Sequence, residues 1–294
     1  MSSRESFFKY LQYEKRYSKH TVRSYATDLS QFFNFLESEF PDVQPEDAEH
    51  YQLRGWIVKL MEEKLDPRSV NRKISTLRAY YKFLLKREII VSNPTVKLKV
   101  LKRSAKLPRF VKEDDMMALL ERVEYENSFT GKRDQLVLEL LYGTGIRLSE
   151  LLGLKEIDIH FGKSEIKVLG KRNKERIIPL TPSLSDLTRE YIRYKKETLP
   201  GADDVLIVKD NGKAAYPMLV YRTVKKYLGL FTTLDKRSPH ILRHTFATHL
   251  LNKGAELNAV KELLGHANLA ATQVYTHNSL EKLKEVHKQA HPKA

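Results

Sequence analysis

The chain has 294 residues, 41% hydrophobic and 30% charged, a balance typical of soluble globular proteins with one large or two modest cores. It contains no cysteine, which excludes disulfides and thiolate metal sites and fits a reducing cytoplasm. With 52 basic and 37 acidic residues the net charge is +15, a surplus that favours a polyanionic partner, nucleic acid ahead of an anionic membrane.

The opening stretch "MSSRESFFKYLQYEKR" lacks the apolar core of a signal peptide, and no apolar run approaches the ~18 residues needed to cross a bilayer. The first ninety residues are expected to form about four helices. In "TVRSYATDLSQFFNFLE", Val22, Tyr25, Leu29, Phe32, Phe33 and Leu36 recur at three- and four-residue spacing and make one apolar stripe. "LRGWIVKLM" repeats this with Leu53, Trp56, Ile57, Leu60 and Met61, and the next run does so with Val70, Ile74, Leu77, Tyr81 and Leu84. Asp66-Pro67 supplies a cap and a first helical residue for that last helix. Arg68, Arg72, Lys73 and Arg78 are placed on its outward face, as a solvated basic surface or a DNA-contacting one.

Residues 92–109, "SNPTVKLKVLKRSAKLPR", break the period and carry six Lys or Arg with no acid, which reads as a basic linker. A second domain is expected over 110–294. "VKEDDMMALLERV" and "GKRDQLVLELLYGTG" are helical, the latter ended by Gly143 and Gly145, and "RLSELLGL" starts another helix. "SEIKVLGKRNKERIIPL" then reads as strand, polar turn and strand, after which helices dominate. The expected fold is mainly α: an N-terminal helical bundle over 1–91, the linker, and a mostly helical C-terminal domain with a small β-hairpin.

Chemistry gathers in four short stretches. In "SPHILRHTFATHLL" (238–251), Ser238 and Pro239 start a helix, so His240 and Arg243 share one face of its opening turns. With the positive helix end they can hold a phosphate. His240 and His244 also have metal-ligand spacing, but no acidic residue stands beside them as in HExxH. "GTGIRLSELLGL" (143–154) offers Arg147 at a glycine-rich helix entry, and the hairpin tip "GKRNKER" (170–176) offers Lys171. In "LNAVKELLGHANLAATQVYTH" (257–277), Gly265 ends a helix, His266 follows, and Tyr275 lies nine residues further on. A helix–turn–helix DNA reader without catalysis has the same outline there.

These boxes, in this order, resemble the tyrosine recombinases, and more closely the Xer-type recombinases of bacterial chromosomes. The resemblance covers nearly the whole chain, with "SKHTVRSYATDLSQFFNFLE" in a core-binding domain ahead of a catalytic one. It implies that Arg147 and Arg243 are the family's two arginines, His240 and His266 its histidines, Lys171 its hairpin lysine and Tyr275 its nucleophile. Arg172 stands where Xer proteins often have glycine, which leaves Lys174 as the rival to Lys171.

The resemblance further implies a site-specific recombinase that cleaves and rejoins double-stranded DNA through a 3′-phosphotyrosine, with no metal, ATP or other cofactor. It implies a C-shaped clamp on duplex DNA and a homo- or hetero-tetramer, with a second recombinase or a septal activator as further partners. Resolution of chromosome dimers at cell division is the role implied by kinship. The integrase of a mobile element and a type IB topoisomerase-like enzyme share the chemistry. The amphipathic end "SLEKLKEVHKQA" is expected to dock on its own domain or on a neighbouring protomer.

Overall fold

The computed structural model describes residues 2–102, 109–170 and 175–265. The chain divides into two compact units, Met1–Leu107 and Pro108–Ala294. The N-terminal unit contains α1 (Ser3–Lys9), a π-helical turn (Tyr10–Glu14), α2 (Lys19–Glu39), α3 (His50–Glu62) and α4 (Pro67–Lys86). Side-chain oxygens set the starts: Ser18 accepts from the Thr21 amide, and Asp66 accepts from Arg68 with Pro67 as the first helical residue. Leu29, Phe32 and Leu36 of α2, Leu53 and Trp56 of α3, and Ile74, Leu77, Tyr81 and Leu84 of α4 form the core. Met61, placed on the α3 stripe by spacing, is half exposed.

Lys73 is not on the outward face. It is buried, and its ammonium lies 3.0 Å from Asp28 of α2 and 5.6 Å from the Trp56 ring centre. Arg72 meets the same carboxylate at 2.5 Å, and the Thr76 hydroxyl donates to it at 2.9 Å. A carboxylate from another helix thus neutralises the lysine and lets it go inside. Arg68 is exposed, and Arg78 donates to the Leu98 carbonyl at 2.5 Å.

The start of the stretch read as a linker is ordered against α4. Asn71 clasps the backbone of Leu101, accepting from its amide at 2.8 Å and donating to its carbonyl at 2.9 Å, and Leu98 is buried. Two hydrogen bonds from one side-chain amide satisfy both backbone groups of Leu101, a signal that composition does not carry.

The second unit is built around α6 (Phe129–Thr144), which is buried on nearly every side, as a central helix must be. Around it are α5 (Glu113–Arg122), α7 (Leu148–Gly153), α8 (Pro182–Thr198), α9 (Pro217–Phe231), α10 (Pro239–Asn252) and α11 (Leu257–Leu264). Gly143 lies inside α6, and Gly145 alone forms its left-handed cap. The hairpin is part of a three-stranded antiparallel sheet, β1 (Ile159–His160), β2 (Glu165–Leu169) and β3 (Glu175–Pro179), in that order. Ile166 pairs with Ile178 and Val168 with Arg176, and all four are buried on one face. No helix among the described residues is long and apolar enough to cross a membrane.

Candidate active site

Gly145 begins the site. With φ at +59° it turns the chain from α6 into α7, and a Cβ there would lie 2.5 Å from the Phe246 ring and 2.7 Å from a Leu264 methyl. Only glycine meets both demands. Two residues later Arg147 caps α7, and its amide donates to the Glu150 carboxylate at 2.8 Å in a capping box. The Arg147 side chain sends Nη1 to Glu150 Oε1 and Nη2 to the Gly265 carbonyl, both at 2.7 Å.

Arg243 arrives from α10. Pro239 starts that helix, and Leu242, Phe246 and Leu250 form its fully buried stripe. Ser238 is the N-cap by backbone geometry, although its hydroxyl makes no capping bond. The Arg243 guanidinium donates to the Gly145 carbonyl through Nη1 and to the Leu264 carbonyl through Nη2, the latter at 2.5 Å. Arg147 and Arg243 therefore converge on the last carbonyls of α11, at the negative end of its dipole.

Arg176 of β3 completes the cluster and was not among the residues that sequence reasoning selected. Its fork holds Glu150 at 2.6 and 2.9 Å, and its Nε donates to the Leu263 carbonyl at 3.0 Å. The register offers the signal: Arg176 lies opposite Val168, on the face that β2 and β3 turn to the core. Glu150 was legible too, as the acid three residues after the start of a helix. Burial acts to raise the Glu150 carboxyl, but the Arg176 fork, followed by Arg147, outweighs it and holds the group at about 2. Burial, with Arg147 and Arg176 adding, pulls the Arg243 guanidinium down to about 9, so it remains cationic at neutral pH.

Of the α10 histidines, His240 is exposed one turn before Arg243, and His244 is half-buried beside the Phe110 ring. Among the described residues no group of three or more His, Asp or Glu side chains could hold a metal, so His240 and His244 have no third ligand there. Lys171, His266 and Tyr275 lie outside the described residues, as do Arg172, Lys174 and the segment 279–294.

Three guanidiniums around one carboxylate make a half-buried, positively biased cradle. Guanidinium forks match phosphate oxygens in pairs and do not lose their charge, which suits a phosphodiester whose negative charge grows during attack. Residues 109–282 match the phage integrase family, and residues 5–88 match its N-terminal SAM-like domain. The chain belongs to the phage integrase family, the tyrosine recombinases.

Family members named tyrosine recombinase XerC show the likeness along the whole chain. The Staphylococcus epidermidis protein is 42% identical over 294 residues, covering 99% of this chain and 97% of its own. The Chlorobaculum parvum protein is 36% identical over 316 residues, covering 99% and 94%. Among solved structures, the XerH recombinase bound to palindromic difH substrate superposes with a TM-score of 0.73 at 23% identity, over 97% of this chain and 83% of that one. The Tn1549 transposon integrase in complex with circular intermediate DNA gives 0.70 at 21%, over 96% and 98%. At such identities the two structures show the recombinase fold. The family assignment makes this recombinase an enzyme of site-specific DNA recombination.

Proposed function

We infer that Tyr275 attacks a DNA phosphodiester held by Arg147 and Arg243, and that the enzyme resolves chromosome dimers in the cytoplasm. The observation that carries this reading is the convergence of the two arginines on the Leu264 and Gly265 carbonyls, immediately before His266. In the first step the phenolic oxygen bonds to phosphorus and the 5′-oxygen leaves, giving a 3′-phosphotyrosine. The phenol, with an ordinary pKa of about 10, gives its proton to His240 or His266. Lys171 gives a proton to the departing 5′-oxygen. The arginines neutralise the two negative charges of the pentacoordinate transition state, and each such preorganised donor is worth roughly 3–4 kcal/mol. The new linkage keeps the energy of the broken one, so a second 5′-hydroxyl reverses the step on another strand without ATP.

The relatives' name, XerC, and the DNA-bound state of the structural neighbours support a duplex recombination site as substrate. Four protomers on two sites, of one or two kinds, with an activator at the septum, complete this reading. The test is a nicked suicide duplex, which traps the protein–DNA adduct. Wild type forms a denaturant-resistant adduct, and Tyr275→Phe binds the duplex without forming one. An adduct that survives Tyr275→Phe ends the assignment.

A further inference from the structure

Glu150 lies between two guanidiniums that hold it differently. Arg176 grips both carboxylate oxygens, Nη1 to Oε1 at 2.6 Å and Nη2 to Oε2 at 2.9 Å, whereas Arg147 uses Nη1 alone, at 2.7 Å to Oε1. The remaining nitrogen of Arg176 is committed to the Leu263 carbonyl. Three of its five N–H donors are engaged and its side chain is only 4% exposed, so burial keeps Arg176 from gripping a substrate. Yet it is a charge placed on a strand face shared with Ile166, Val168 and Ile178, where an apolar side chain would pack without desolvation.

We propose that Arg176 is a positioning residue for strand cleavage: it saturates the Glu150 carboxylate, so that Arg147 gives that carboxylate one arm only, rests the other on the Gly265 carbonyl, and keeps its remaining N–H donors for a DNA phosphate. This rests on the reading of the site as a phosphodiester clamp. Without Arg176, the buried carboxylate has Arg147 as its only partner in the cluster. Bidentate pairing is the strongest geometry open to the two groups, and the low-dielectric setting favours it further. Arg147 then closes on Glu150 and presents less charge to the phosphate. A neutral amide at position 150 exerts no such pull. The effect of losing Arg176 therefore depends on the charge at position 150, which a packing role does not require.

The experiment measures single-turnover adduct formation on the suicide duplex, with DNA affinity and thermal unfolding on the same samples, for wild type, R176M, E150Q and R176M/E150Q. R176M is expected to form adduct about 100-fold more slowly, as when comparable preorganised donors are lost. The double variant is expected to react about tenfold faster than R176M, a coupling of the size found within one charge network. DNA affinity changes far less than the rate in both. A double variant as slow as R176M, or slower, overturns the proposal.

R176K is run in parallel with its own E150Q partner, since lysine keeps the charge but not the fork. The same recovery is expected there, its absence is equally fatal, and this pair decides the question if R176M does not fold. A wild type that forms no adduct, or an adduct that persists in Y275F, brings down the clamp reading itself. That result differs from a failed recovery in the double variants.

Discussion

Arg243 donates to the carbonyl of Leu264 at 2.5 Å, so a cation from α10 caps the carboxyl end of α11. Its other arm reaches the Gly145 carbonyl. One side chain thereby ties the turn before Arg147 to the helix that precedes His266. Arg243→Gln is expected to cost about 1.5–3 kcal/mol of stability, the value of hydrogen bonds from a charged donor. It also speeds amide exchange in α11 ahead of the rest of the unit, because the helix loses its C-terminal cap. Urea unfolding and hydrogen exchange on the variant check both. Uniform exchange across the domain would show that the cap does not hold α11.

Burial, with Arg147 and Arg176 beside it, makes the Arg243 cation less comfortable than an ordinary guanidinium. An anion entering the cradle relieves that crowding. Orthovanadate, which adopts the pentacoordinate shape of a phosphoryl transition state, is expected to raise Tm above a chloride control of equal ionic strength. At a hundred times its Kd the gain is about 2.7 kcal/mol. Arg147→Ala should abolish most of the gain. An equal rise in that variant would mean that vanadate binds elsewhere.

Apolar period and capping residues make the helices legible in the sequence. Asp66-Pro67 and Ser238-Pro239 fixed the starts of α4 and α10, and Ser238-Pro239 thereby placed His240 and Arg243 one turn apart. Arg147 was legible from Gly145, whose turn must precede a helix start. Lys73 and Arg176 were not, because each is charged and lies on a face that period alone assigns ambiguously. Lys73 goes inside because Asp28, 45 residues away, neutralises it, and Arg176 because Glu150, 26 residues away, does so. A buried ion pair is written in two distant stretches, and neither half signals the other. β1 escaped for a different reason: two residues are too few to show alternation.

His249 joins the start of the second unit to its central helix. Nε2 lies 2.9 Å from the Val111 carbonyl and Nδ1 lies 3.0 Å from the Tyr142 hydroxyl. A carbonyl only accepts, so Nε2 carries the proton and Nδ1 accepts from the phenol. Burial holds the imidazole below its ordinary value of 6.5, with the Val111 bond acting against it. The folded state therefore prefers neutral His249, and its stabilisation is complete above pH 6.5 and falls as pH drops below that. His249→Gln retains a donor and an acceptor and is expected to flatten this acid limb. Urea midpoints between pH 7.5 and 5.5 measure it; identical slopes for the two proteins would remove His249 as the source.

Asp28 has three partners, Arg72, Lys73 and Thr76, whereas Lys73 has Asp28 and Gln31. Removing the two ends of this pair therefore has unequal effects. Asp28→Asn leaves the Lys73 ammonium buried against a neutral amide and the Trp56 ring. Breaking a buried pair in this way is expected to cost about 3–5 kcal/mol. Lys73→Met fills the same space with an apolar chain and leaves Asp28 its bonds to Arg72 and Thr76. That variant is expected to lose under about 1.5 kcal/mol, as a well-packed substitute does. Chemical denaturation of the two single variants decides between this ordering and its reverse. If Lys73→Met is the more damaging, the pair is held together chiefly for the lysine's contacts with Gln31 and Trp56 rather than for the charge on Asp28.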